Sequence, residues 1–317
     1  MSSTAPLSAA PPTASAPSQQ GRGMLVFCLF ALYVIWGSTY LAMSWALASF
    51  PPFLMAGLRF ALAGSLLYTV LRLRGIAHPT RRQWAAGAAT GTLLLVIGNG
   101  GVAFAQQWVP SGVAALVVGS MPLWAALFGG LFGQWPGRAE LAGLALGFCG
   151  IVLLNLDGAL GGRVLPAVVL LLAPLSWAFG SVWSRRLPMP PGLMTTATQM
   201  LCAGALMLLI SVGLGERPRG VPEPRAVAAF FYLLFFGSLV AFSAYGYLLR
   251  HARPAVATSY AYVNPVVAML LGIFLNGEKP GRYTFVAMAA ILTAVMLLTR
   301  KAAVKPPAPV APASAPR

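Results

Sequence analysis

Acidic side chains are almost missing from this chain: Glu140, Asp157, Glu216, Glu223 and Glu278 are the only five in 317 residues, against 21 Lys and Arg. Charged residues of both signs make up 8% of the composition, where a soluble domain carries about a quarter. That shortage excludes a solvated surface over most of the molecule. The two histidines, His78 and His251, and the three cysteines, Cys28, Cys149 and Cys202, form no CxxC and no His–Cys pattern, so neither a metal site nor a disulfide framework is expected. The cysteines fall inside apolar runs and read as small buried side chains. HExxH, GxSxG and GxxxxGK[ST] are absent, which leaves no signature for a membrane-embedded enzyme, and no cofactor is implied. The net charge of +16 would suggest nucleic acid if it formed one basic face. Arg and Lys instead stand singly or in small groups between apolar stretches, as membrane topology requires.

What is present is 58% hydrophobic residues gathered into long runs. A bilayer core of roughly 30 Å takes about 20 apolar residues per helix. The chain then divides into ten spans, at about 24–44, 53–72, 84–105, 112–133, 139–155, 164–184, 193–214, 227–249, 255–276 and 283–299. Residues 1–23 and 301–317, rich in Ala and Pro, cannot bury a core and read as disordered tails. Ala46-Leu47-Ala48 resembles a signal-cleavage site, but the preceding run exceeds the roughly 7–15 residues of a signal-peptide core and reads as a retained helix.

The runs also repeat. Val109-Pro110-Ser111, Pro122 and Pro136-Gly137-Arg138 are echoed by Arg253-Pro254-Ala255, Pro265 and Pro280-Gly281-Arg282, with proline offsets of 144, 143 and 144. Pro51-Pro52 and Trp36-Gly37-Ser38 have counterparts in Pro190-Pro191 and Trp177 to Ser181. The chain is therefore expected to hold two five-span repeats, 24–155 and 164–300. Because five is odd, the second enters the membrane from the opposite side, which makes an all-α integral membrane protein of two inverted repeats, the usual architecture of a secondary transporter. With both termini in the cytoplasm, 14 Lys and Arg fall inside and six outside, with Arg59 within a span, so termini-in is the expected orientation.

The polar inventory of the spans is small. Arg59, seven residues past Pro52, lies roughly 10 Å into its helix. Two readings are open for it: a side chain that snorkels to the interface or bonds backbone carbonyls, and a clamp for a substrate anion. Trp36, Ser38 and Tyr40, Asn99 and Gln106, Ser120 and Trp124, Trp177 and Ser181, Tyr245, and Tyr260, Tyr262 and Asn264 are the candidates for a cavity lining. Such a set suits a neutral, zwitterionic or aromatic small molecule. Each Trp or Tyr alone reads as well as interfacial belt or packing. Pro122 and Pro265 occupy matching places and are expected to break their helices. Glu278 is expected to cap the tenth span or to pair with Lys279 or Arg282, with proton coupling as the sharper alternative. Glycines at three- and four-residue spacing, Gly87 and Gly91, and Gly143, Gly147 and Gly150, are expected at close helix contacts.

Trp36-Gly37-Ser38-Thr39-Tyr40, Pro51-Pro52 with Arg59-Phe60, Gly98-Asn99-Gly100, Val109-Pro110-Ser111-Gly112, Ser120-Met121-Pro122, Ser176 to Ser181, Tyr260 to Pro265 and Gly277-Glu278 together resemble the EamA branch of the drug/metabolite transporter superfamily. The likeness runs from about Met24 to Arg300. It implies a ten-helix carrier of the bacterial inner membrane that exports small metabolites, amino-acid-like compounds or drugs by alternating access, with spans 1, 3, 4, 6, 8 and 9 lining the cavity. One departure is Gln134, at the end of span 4, where the element matching Gly277-Glu278 would carry a carboxylate. A membrane receptor or scaffold is the reading in another class, and the short loops offer it little partner surface.

Overall fold

The computed structural model of the chain describes residues 19–131, 135, 137–156, 163–218, 220–251 and 259–302. Among them the only regular secondary structure is helical, in ten helices: α1 (19–46), α2 (Pro52–Leu73), α3 (Arg81–Ala105), α4 (Ser111–Leu131), α5 (Arg138–Leu156), α6 (Val164–Ser184), α7 (Leu193–Gly213), α8 (224–251), α9 (Tyr260–Asn276) and α10 (Thr284–Ala302). Seven of these, α1 to α4 and α6 to α8, are long and apolar enough to cross a membrane. The other three hold shorter apolar segments, Leu141–Leu153, Val263–Asn276 and Thr284–Leu297. The expected tails lie mostly outside the described residues, but α1 already begins at Gln19 and α10 runs on to Ala302. Gln134, Pro136 and Asp157 also lie outside them.

Local chemistry sets several boundaries. Pro52 opens α2 at a position whose N–H would have no helical partner in any case. Thr80 and Gln83 form a reciprocal capping box, which draws Arg81 and Arg82 into the first turn of α3 and starts it earlier than hydropathy alone suggests.

Three helices are not regular. Leu32–Trp36 in α1, Thr92–Gly100 in α3 and Leu233–Val240 in α8 are wound as π-helix, with hydrogen bonds closing over wider turns. α4 is interrupted: its first piece ends at Val118 and the second starts at Met121, immediately ahead of Pro122. Pro265, expected to break α9, lies instead inside a continuous helix from Tyr260 to Asn276. It stands only five residues from the helix start, where one missing donor leaves the remaining ladder intact.

Glycine contacts fix how the helices pair. A methyl group at Gly57 would stand 3.0 Å from the Leu208 nitrogen, one at Gly64 2.8 Å from that of Leu201, and one at Gly204 2.5 Å from that of Ala61. Numbers that rise along α2 fall along α7, so these two helices are antiparallel and touch backbone to backbone. Gly112 against Met269 and Gly119 against Pro265 give the same result for α4 and α9, as Gly147 against Ala294 and Gly150 against Ile291 do for α5 and α10. Gly87 and Gly91 meet Thr198 and Gln199 of α7. Long apolar side chains such as Leu62, Leu66, Leu209 and Val212 point outward and are exposed, while Ala56, Ala63, Ala203 and Phe60 are buried between helices.

The connection 47–51 meets the residues just ahead of α8 at one end of the bundle, where the Glu223 amide donates to Ser49 Oγ at 3.1 Å. Trp45 and Asn276 join there through a 3.0 Å bond, and Arg225 lies over the Trp45 ring at 3.8 Å. This is the end opposite the one from which α1 starts.

Candidate functional site

The irregular helices converge on one central cavity. Trp36, at the end of the wide turns of α1, donates its indole N–H to the Gly237 carbonyl inside the wide turns of α8, at 3.3 Å. Its ring meets Phe242, Tyr260 and Tyr245 at centroid distances of 5.2, 5.0 and 5.3 Å, and Tyr245 stands edge-on to Tyr260. Trp36 gathers the other three rings around it, edge-on to Phe242 and Tyr260 as aromatic quadrupoles favour and tilted against Tyr245. Hydroxyls satisfy carbonyls that the wide turns release. Ser38 donates to Val34 O and is bonded to the Tyr232 hydroxyl, Thr39 donates to Trp36 O, and Ser238 donates to Leu233 O.

Of the residues singled out from sequence, Trp36, Tyr40, Arg59, Asn99, Trp177, Tyr260, Asn264 and Pro265 line this cavity. Tyr245 stands behind Trp36 and Tyr260. Ser38 and Ser120 do not line it and are occupied with helix carbonyls, Ser120 with that of Val117. Trp124 points away and packs edge-on against Phe148 at 4.7 Å. Ser181 is not in the lining either; its carbonyl accepts a bond from Ser184. Gln106 bonds the Tyr40 carbonyl near the end of the bundle remote from the start of α1. The lining also takes in Thr39, Met43, Val102, Ala115, Val118, Gly119, Met121, Phe242 and Ala261, which carry no polar signal that sequence reading could have weighed, Thr39 apart.

Arg59 departs from the snorkelling expectation. It is 2% exposed, its Nε donates to Ser238 Oγ at 2.8 Å, and its guanidinium lies 4.5 Å over the Phe60 ring. The side chain turns inward toward α8 because α2 is pressed against α7 on one face and packs against the wide turns of α8 on another. Its Nη1 has no partner, and the same is true of the amide oxygens of Asn99 and Asn264. Three polar groups therefore reach the cavity wall with hydrogen-bonding capacity to spare.

Glu278 also differs from expectation. Its carboxylate accepts from the backbone amides of Ser111 and Gly112, at 3.0 and 3.3 Å, and from the Asn276 amide, rather than pairing with Lys279 or Arg282 or capping α10. Gly277 takes a left-handed conformation, φ 64°, that turns the chain toward α4, and a side chain at Gly272 would collide with the Glu278 oxygens. Glu216 repeats the device: it follows left-handed Gly215 and accepts from Phe53 and Leu54 at 3.3 and 2.7 Å, at the start of α2. Both carboxylates stabilise the positive end of a helix that belongs to the other half of the chain.

Among the described residues no group of three His, Cys, Asp or Glu could hold a metal ion. The model of the EamA-like transporter family matches residues 23–156 and again 165–300. The chain belongs to this EamA-like transporter family, within the drug/metabolite transporter superfamily. It is a transporter, not an enzyme, and a multi-pass membrane protein. It is 46% identical over 272 residues to a protein of Escherichia coli K12 named uncharacterized inner membrane transporter YedA, covering 86% of this chain and 89% of that one. Protein PecM of Dickeya dadantii is 29% identical over 292 residues, covering 87% and 95%. A solved crystal structure shares the fold, at a TM-score of 0.64 and 23% identity over 88% of this chain and 98% of its own.

Proposed function

We propose that this EamA transporter is an exporter of the bacterial inner membrane that moves small organic solutes by alternating access between two inverted repeats. The observation that carries the reading is the cavity at the junction of the halves. Its walls come from α1, α2, α3 and α4 of the first repeat and from α6, α8 and α9 of the second. Equivalent helices pair antiparallel across that junction, α2 with α7, α4 with α9 and α5 with α10, and the α1–α8 pairing is matched by α6 with α3. An axis in the membrane plane produces this arrangement.

The cavity volume, about 70 Å³, argues for motion. A water molecule occupies roughly 30 Å³ and a ligand pocket roughly 300–1,000 Å³, so no organic solute fits until the halves part. The wide turns and the interruption at Gly119-Ser120 supply places where helices bend without breaking packed ladders. Aromatic rings with few hydrogen-bonding groups suit a solute that combines apolar or ring surface with one or two polar groups. The test is flux of labelled solutes by the purified full chain in proteoliposomes. Saturable, counterflow-stimulated uptake supports a carrier, and its absence across a broad panel of metabolites would retire this reading.

A further inference from the structure

We propose that Arg59 is an anion anchor and that the solutes accepted by the central cavity carry a carboxylate; this rests on the cavity being the transport site. Guanidinium has five N–H donors, no acceptor, and keeps its charge in proteins. A charge held inside a membrane protein is costly unless it is paired or works on something that comes and goes. Among the described residues nothing acidic pairs with Arg59. The chain's five acids are accounted for elsewhere: Glu216 and Glu278 cap helices, Glu223 begins α8, and Glu140 and Asp157 sit at the two ends of the fifth span by sequence.

The partners that Arg59 does have are a neutral hydroxyl, Ser238, and a ring face, Phe60. Both position the guanidinium and neither neutralises it. Nη1 remains without a partner on a residue 2% exposed that lines the cavity. A structural arginine would spend its donors on released carbonyls, which the wide turns of α8 provide beside it. Nη1 makes no bond to them, and two of them accept from other side chains, Leu233 O from Ser238 and Gly237 O from Trp36. The donor capacity is thus kept for an occupant.

The orphan amide oxygens of Asn99 and Asn264 are less informative, because a flipped amide offers a donor in the same place. They fit further polar atoms of a solute of either kind. The charge of Arg59 cannot be flipped, so it alone decides the sign. It repels organic cations and favours a carboxylate over the matching neutral amide. A charge-assisted hydrogen bond in such a site is worth roughly 10- to 100-fold in affinity.

Binding to the detergent-purified full chain is measured by quenching of tryptophan fluorescence, Trp36 and Trp177 being in the wall. The probes are matched triplets of the same skeleton: phenylacetate, phenylacetamide and phenethylamine, with indole and short aliphatic sets alongside. The expected result is at least tenfold tighter binding of carboxylates, lost in Arg59→Met and kept in part in Arg59→Lys, with each variant checked for a single folded peak. Equal binding of amide or amine by the unmodified protein overturns the proposal, whether or not the variants fold. So does saturable binding of no carboxylate, or saturation by sodium chloride alone, which would make the guest an inorganic anion. Flux of neutral or cationic solutes that survives Arg59→Met leaves the carrier intact and sinks the anchor. Carboxylate binding without any flux sinks the carrier and leaves the anchor.

Discussion

At the scale of single residues, the candidate site is a cavity of mainly apolar and aromatic surface with three unsatisfied polar groups among its lining residues. Asn264 offers a direct test, since its Oδ1 is buried without a partner and it shares a helix face with Tyr260 one turn earlier. Asn264→Ala should lower the affinity for transported solute by roughly 2- to 10-fold, the worth of one neutral hydrogen bond, while leaving insertion and thermal stability unchanged. Solute titrations of flux in proteoliposomes check this, and unaltered flux would make Asn264 a packing residue. The sequence made Asn99, Asn264, Trp36 and Tyr260 visible because amides and large rings inside spans need a reason to be there. It could not separate them from Ser38, in the span of Trp36, or from Ser120 and Trp124 in α4 and Ser181 in α6. In α1 and α3 the reason is helix rotation. A wide turn rotates every later residue relative to a regular helix, so 3.6-residue counting across Leu32–Trp36 or Thr92–Gly100 assigns faces wrongly.

At the scale of elements, the pairing of α2 with α7 holds the two halves together most closely. Gly204 lies against the Ala61 backbone nitrogen, where an added methyl group would stand at 2.5 Å, and no rotamer change can relieve a collision with backbone. Gly204→Leu should cost about 1–3 kcal/mol or more through overpacking, read as a lower melting temperature and lower yield of monodisperse protein. Gly213, with open space beside it, serves as the control: Gly213→Leu should change neither. The expectation of glycine-mediated contacts covered Gly87, Gly91, Gly143, Gly147 and Gly150, and Gly87, Gly91, Gly147 and Gly150 do meet neighbouring helices. The α2–α7 contact carries no such spacing, because Gly57 and Gly64 are seven residues apart and Gly204 is nine residues from Gly213, the other glycine of its span. The break ahead of Pro122 and the continuous helix through Pro265 show the same limit. A proline marks a missing donor, but its place in the helix decides whether the ladder fails.

At the scale of the whole molecule, the duplication was legible because paired prolines keep their spacing, whereas the relation between the halves emerges only from contacts between distant helices. With both termini cytoplasmic, reporter fusions after Arg74 and after Arg300 should both report cytoplasm, and a periplasmic signal at either would refute the inverted topology. In that orientation Glu216 and Glu278 lie on the outer side, each binding the start of a helix of the opposite repeat. By the repeat, Glu216 falls at Ile76-Ala77, just after left-handed Gly75, and Glu278 at Gln134, so neither counterpart is a carboxylate. If the halves part on that side during transport, these two charge-assisted caps have to separate. Each cap is worth about 0.5–2 kcal/mol, so removing both should shift the balance toward an outward-open form by roughly fivefold or more. The probe is Met43→Cys in a background lacking Cys28, Cys149 and Cys202, since Met43 lines the cavity, lies in the last turns of α1 and is 2% exposed. Glu216→Ala with Glu278→Ala should raise the rate at which a membrane-impermeant maleimide labels that introduced thiol from the outside by that factor. An unchanged rate in protein that remains folded would mean that the caps only finish their helices and do not govern which side opens.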